Sequence, residues 1–179
     1  MRKPARFFIV PGLANSGPGH WQTLFEQQDP SFTRIQQREW DAPDCAEWVA
    51  TLHQALRGED LSAVVLVAHS LGCATIAHWA ARYGLPVRGA LLVAPSDVET
   101  SEFATFPTTG FSPMPVQRLP FASKVVASAN DKWMTFARAQ HFAAAWGSEL
   151  VDLGMAGHIN PASGFGEWPV GRALLKEWE

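Results

Sequence analysis

Residues Ala63–Ala68 read Ala-Val-Val-Leu-Val-Ala and run through His69-Ser70 straight into Leu71–Tyr83, an Ala-rich helical stretch closed by Gly84. An aliphatic run with no polar break suits a strand covered on both faces, the condition of a central strand in a parallel sheet. Parallel strands need crossover connections, usually helices. The rest of the chain keeps to that rule, alternating short apolar runs with longer helical stretches. Further strands are expected at Arg6–Val10, Thr33–Arg38, Val87–Ala94, Lys124–Ser128 and Glu149–Leu153. Thr33–Arg38 is the most polar of these and belongs at the edge. Helices are expected from His20 to Gln28, from Asp44 to a stop at Gly58, over Lys132–Trp146 and over Trp168–Trp178. Asp44 is the N-cap of its helix, with Glu47 at the capping-box position. The expected architecture is α/β, with six mostly parallel strands in a doubly wound, three-layer α/β/α sheet.

A length of 179 residues suits one domain spanning 1–179. The formal net charge of −3 leaves no basic excess to neutralise a phosphate backbone, so nucleic-acid binding is disfavoured. The longest apolar runs fall far short of the ~20 residues of a membrane span. The start, Met1-Arg2-Lys3, resembles the charged end of an export signal, but Pro11-Gly12 cuts the apolar stretch behind it, so no export signal is read. Cys45 and Cys73 make no disulfide framework, and no Cys/His cluster has zinc spacing. No metal site is expected, and reduced cysteines fit a cytoplasmic protein. The segment from Pro95 to Pro120 carries Pro107, Pro113 and Pro115 between those ends and has no clear period. It is either a functional lid or a plain crossover.

Ser70 sits between the buried strand and the Ala-rich helix, the strand–turn–helix context of a nucleophile elbow. Ala68 takes the place of the first glycine of G-x-S-x-G, and Gly72 supplies the second small position. Such a turn exposes the hydroxyl at the carboxyl edge of the sheet and sets the Leu71 N–H at a helix N-terminus, where a developing oxyanion is stabilised. The plainer reading is a serine N-cap on an ordinary turn.

A serine hydroxyl needs a base. His53, His78 and His141 fall inside expected helices, and His69 adjoins Ser70 on a turn whose neighbours point apart. His158 follows the last strand in a Gly-rich loop at the same sheet edge, and it is the favoured base. The acid that orients it is Asp131, after the fifth strand, or Asp97, one strand earlier. Asp131 is preferred because its strand neighbours the one leading to His158. The order Ser70, Asp131, His158 is that of α/β-hydrolases. In the loop Pro11–Trp21, Gly12 lets the backbone approach a ligand and the Leu13 N–H is the second oxyanion donor. Neither G-x-G-x-x-G nor a P-loop lysine is present, so the glycines do not make a nucleotide site.

Pro11-Gly12 running into Gly19-His20-Trp21-Gln22, the Ala68–Gly72 elbow, Ser128-Ala129-Asn130-Asp131 and Gly157-His158-Ile159-Asn160 resemble the compact serine hydrolases grouped with the retinoblastoma-binding serine hydrolase and the bacterial YdeN-type proteins. The resemblance runs from Arg6 to Glu177. It implies a trimmed α/β-hydrolase fold, a Ser70–Asp131–His158 triad and esterase-like action on a small ester substrate, with no metal or cofactor. Some members are discussed as partners of other proteins, a role this sequence neither indicates nor excludes.

Eight tryptophans are many for this length. Trp48, Trp79 and Trp146 fall on apolar helix faces and belong to the core. Trp21 with His20 beside the oxyanion loop, Trp133 beside the acid and Trp168 beside the base loop are expected to line a substrate pocket. Phe106, Phe111 and Met114 would add an apolar wall from the Pro-rich segment. The leading expectation is a carboxylic-ester hydrolase. An amidase or thioesterase would use the same residues, and a non-catalytic interaction module on the same fold is the rival of another kind.

Overall fold

A computed structural model of the chain describes residues 3–179. Met1 and Arg2, part of the start compared above with an export signal, lie outside the described residues. Six strands form one sheet: β1 (Arg6–Val10), β2 (Phe32–Arg34), β3 (Val64–His69), β4 (Gly89–Val93), β5 (Ser123–Ala127) and β6 (Glu149–Asp152). Their order is β2-β1-β3-β4-β5-β6 and every pairing is parallel.

Alternation along the strands sorts the core into two layers. Phe8, Val10, Leu66, Ala68, Leu92 and Val125 face one side, under α2 (Cys45–Leu56), α3 (Leu71–Tyr83) and α4 (Phe136–Trp146). Phe7, Ile9, Val65, Val67, Leu91 and Val126 face the other, packed with residues of α1 (Trp21–Gln28) and of the C-terminal turns, including Trp178. Both faces of β3 are therefore covered, as its unbroken aliphatic sequence requires. Trp48, Trp79 and Trp146 are all buried in the first layer. Among the described residues no helix is long and apolar enough to cross a membrane.

Local signals explain most of the boundaries. Asp44 caps α2 by accepting the Glu47 N–H at 3.0 Å, and Gly84 closes α3 in the left-handed conformation. Three elements differ from expectation. The edge strand β2 ends at Arg34, because beyond Ile35 the chain turns inward and the buried Gln37 side chain donates to the Trp48 carbonyl. Helix α4 starts at Phe136, since Thr135 is the residue that caps it, accepting from the Arg138 N–H. The closing helix is α5 (Pro169–Leu174) followed by a separate 3-10 turn at Lys176–Trp178.

The long Pro95–Pro120 segment packs as a structured crossover. Thr109 exchanges backbone hydrogen bonds with the start of α2, donating to the Pro43 carbonyl and accepting from the Cys45 N–H, each at 2.9 Å. The Trp146 indole donates to the Pro115 carbonyl at 2.7 Å. Phe111 and Met114 are buried in the core, with Phe111 edge-on to Trp48. They do not line the cavity that Ser70 borders.

Candidate active site

The chain leaves β1 toward β2 on one side, while β3 and its successors build the other side. In such a sheet the crevice beyond the carboxyl ends at the point of reversal is where ligands bind. Gly12 and Leu13 follow β1 there, and Ser70 follows β3.

Ser70 has φ 56° and ψ −124°, a strained conformation for a residue with a side chain. Its N–H donates to the Val93 carbonyl at 3.0 Å, which ties the turn to β4. The small neighbours are sterically required. A Cβ on Gly72 would lie 2.1 Å from the Val10 carbonyl oxygen, and one on Gly12 would lie 2.8 Å from the Ser70 Cβ. Ala68 is fully buried in the strand and fits without a glycine.

His158 Nε2 lies 2.9 Å from Ser70 Oγ, and His158 Nδ1 lies 2.8 Å from Asp131 Oδ2. The other Asp131 oxygen accepts the Trp133 N–H at 2.9 Å. A carboxylate only accepts, so Nδ1 carries the proton and Nε2 of the neutral imidazole is left to accept from the serine. Asp97, the alternative acid, is turned away from His158 and bound to Arg138.

The loop that carries His158 is held from several directions. Asn130 accepts the Gly157 N–H, and Ser128 accepts the Ala156 N–H. The His69 Nε2–H donates to the His158 carbonyl at 2.8 Å, and the Trp21 indole donates to the next carbonyl, that of Ile159, at 2.9 Å. Burial, followed by the nearby His158 and His20, holds His69 well below the usual imidazole range, which keeps it a neutral donor. His20 caps α1 by accepting the Gln22 N–H on Nδ1. Burial first, then the charge of Arg34 and that of His158 once it is protonated, lower its pKa to about 4.

Ser70, His158, His69 and His20 border a cavity of about 320 Å³, within the range of small-molecule sites. Leu13 and Leu71 line it, and their N–H groups have no backbone acceptor among the described residues. The Leu71 donor is one of the first-turn amides that a helix leaves unpaired. One wall is aromatic: Phe103 lies 5.6 Å from Phe106, and Phe106 lies 5.2 Å from Trp133. Asn15, His20 and Asn160 add polar groups to the lining.

Of the expected pocket residues, His20 and Trp133 border the cavity. Trp21, Trp168, Phe111 and Met114 do not. Trp21 is fully buried, stacked edge-on with Trp168 at 5.1 Å, and serves the base loop from behind. Phe103, Ser96 and Asn160 were not singled out by the sequence. Phe103 stands three residues before Phe106 on one 3-10 turn, so that spacing was the available signal.

The remaining histidines sit away from the centre, with His53 stacked on Tyr83 and His78 bound to the Phe111 carbonyl. Both cysteines are unpaired and buried, and burial pushes Cys45 up to about 12 and Cys73 well above its ordinary value. Neither is a nucleophile near neutrality. Among the described residues no group of three or more His, Cys, Asp or Glu is placed to hold a metal ion.

A wholly parallel sheet with a serine on a strained strand-to-helix turn at its carboxyl edge defines an α/β-hydrolase. The family of serine hydrolases matches residues 7–177, and the chain belongs to it. Its structure is similar to a YdeN-like hydrolase from Pectobacterium atrosepticum, with 36% identity, 98% of this chain and 90% of that one covered, and a TM-score of 0.86. It is also similar to the YdeN protein of Bacillus subtilis, at 19% identity, covering 97% and 98%, with a TM-score of 0.76. Esterase 2 of Thermogutta terrifontis shares the fold at 15% identity, covering 98% and 82%, with a TM-score of 0.70. Among curated proteins, no sequence matches.

Proposed function

We propose that this serine hydrolase cleaves carboxylic esters through Ser70, His158 and Asp131. One observation carries the reading: the unbroken hydrogen-bond chain from Ser70 Oγ through His158 to Asp131, at 2.9 and 2.8 Å, on a serine held in a strained turn. His158 takes the hydroxyl proton as Oγ attacks the acyl carbon, and Asp131 holds the imidazolium that forms. The Leu13 and Leu71 amides face the oxyanion. His158 then protonates the departing alcohol, and water, activated by the same imidazole, releases the acid.

The aromatic wall of Phe103, Phe106 and Trp133 supports a compact apolar or aromatic group on one side of the scissile bond. The polar lining groups of Asn15, His20 and Asn160 suit a leaving alcohol that carries hydrogen-bonding groups. Reduced Cys45 and Cys73 support a cytoplasmic location as part of the same reading.

The test is labelling by a fluorophosphonate, with the modified residue located by mass spectrometry, and turnover of short p-nitrophenyl esters. A single adduct on Ser70, absent from folded Ser70→Ala and strongly reduced in His158→Ala, is the expected result, with a turnover loss of about 10⁴–10⁶-fold in Ser70→Ala. Hydrolysis of amides or acyl thioesters in preference to esters would reassign the substrate. A folded protein that takes no label and turns over nothing would leave a binding module.

A further inference from the structure

Ser70 Oγ has a second partner that the triad does not use. Ser96 Oγ lies 2.8 Å away, on a residue only 3% exposed that borders the cavity. Counting protons fixes the direction of this bond. Nδ1–H of His158 is committed to Asp131, so the neutral ring accepts at Nε2 and the single proton of Ser70 points there. The contact with Ser96 is then an O–H donated by Ser96 to Ser70 Oγ, and among the described residues it is the one hydrogen bond that the Ser96 hydroxyl makes.

The placement of Ser96 is built into the backbone around it. Ala94, the first residue after β4, has φ 45°, an unfavourable conformation for alanine, and donates to the Val126 carbonyl at 2.8 Å. Pro95 fixes the next φ. Asp97 donates its N–H to the Trp133 carbonyl at 2.8 Å and is gripped by Arg138. Ser96 is thus pinned on both sides, with its hydroxyl on the nucleophilic oxygen and opposite the imidazole.

Resting on the esterase reading above, we propose that Ser96 is a fourth catalytic residue, one that acts chiefly when the acyl-enzyme is broken down. In that half-reaction water adds to the acyl carbon and gives a proton to His158. The C–Oγ bond then breaks, Oγ leaves with the bonding pair, and His158 returns the proton to it. A donor already aimed at Oγ stabilises the charge on the departing oxygen before that proton arrives. In acylation the same bond lies on the attacking oxygen, where it positions Oγ but also tempers its nucleophilicity, so the two effects offset each other. Hydrogen bonds to charged groups make this worth about 10–100-fold in the breakdown step.

The experiment compares wild type, Ser96→Ala and the near-isosteric Ser96→Cys on p-nitrophenyl butyrate, by steady-state and stopped-flow kinetics, with fluorophosphonate labelling rates beside them. The expected result is a kcat lowered about 10–100-fold, with KM falling in step. A pre-steady-state burst of about one p-nitrophenolate per site is expected, with labelling slowed by no more than about threefold. Ser96→Thr, which keeps the hydroxyl, restores part of kcat. Equal losses in kcat, kcat/KM and labelling would overturn the proposal in favour of a packing role, and an unchanged kcat would overturn it outright. Wild type that takes no label on Ser70 would instead refute the esterase reading itself.

Discussion

Asp97 closes on Arg138 with both carboxylate oxygens, Oδ2 on the guanidinium Nε at 2.6 Å and Oδ1 on Nη2 at 3.0 Å. Arg138 also reaches Glu99, and these bonds raise its pKa, that to Asp97 most. The carboxylate one strand closer to Ser70 is therefore spent on holding the Pro-rich crossover against α4, and the carboxylate beside His158 is Asp131.

The two carboxylates should separate cleanly under mutation. Asp131→Asn keeps the shape but loses the acceptor that fixes the His158 tautomer, so kcat on a p-nitrophenyl ester should fall about 10³–10⁴-fold with little change in urea stability. Asp97→Asn should do the reverse, costing about 1–3 kcal/mol of unfolding free energy and less than about tenfold in kcat. Exchange of those two outcomes would transfer the acid role to Asp97.

Stability should fall on acidification through His20. Its pKa is lowered from 6.5 to about 4 by burial and nearby positive charge, so between those pH values the unfolded chain binds a proton that the folded one refuses. The contribution is fully present above pH 6.5 and is lost as pH falls toward 4, to a total of about 3 kcal/mol. His69, depressed by the same cause, adds to the same slope. His20→Asn keeps an acceptor for the Gln22 N–H and removes the titration. Urea melts at pH 7, 6, 5 and 4 should show a shallower decline in this variant. An equal decline would place the acid sensitivity elsewhere.

The elbow should tolerate no added methyl group. Gly72→Ala sets a Cβ 2.1 Å from a backbone oxygen of β1, contact that only movement of α3 can relieve. A loss of about 1–3 kcal/mol or more in unfolding free energy is expected. Gly19→Ala, where a Cβ meets nothing within 4 Å, is the control and should match wild type.

Phe106→Ala and Trp133→Ala test the aromatic wall. Each opens the same side of the cavity, so KM for an aryl-acyl ester should rise about 5–50-fold while acetyl ester turnover changes little. Equal effects on both esters would mean that the acyl group lies elsewhere.

The strands and the meeting of Ser70, His158 and Asp131 at one sheet edge were legible because both rest on local chemistry. A run such as Val64–Val67 has one comfortable environment, and a serine between such a strand and a helix has a defined exit from the sheet. Side-chain direction was not legible. Trp21 adjoins the oxyanion loop in sequence, yet as the first residue of α1 it points under the sheet edge toward Ile159. Phe111 and Met114 share a segment with Phe106 but pass below α2 and into the core. Thr33–Arg38 carries strand-forming residues, but the inward turn of Gln37 ends the pairing, and that depends on a carbonyl of α2. Ser96 escaped notice because a lone serine after a strand has no pattern. Its meaning comes from the distance to Ser70.

The crossover between β4 and β5 has a consequence for how such a chain can diverge. Its Phe111 and Met114 are locked into the interior, Phe103 is buried in the same core while also bordering the cavity, and Phe106 spends its bulk on the cavity wall. Substitutions at Phe111 and Met114 are filtered by whether the protein survives at all, and substitutions at Phe106 by what the cavity admits. On the esterase reading, taste for a new acyl group can therefore be acquired by rewriting one turn of chain, with the elbow, the His158 loop and the buried half of the same segment inherited unchanged.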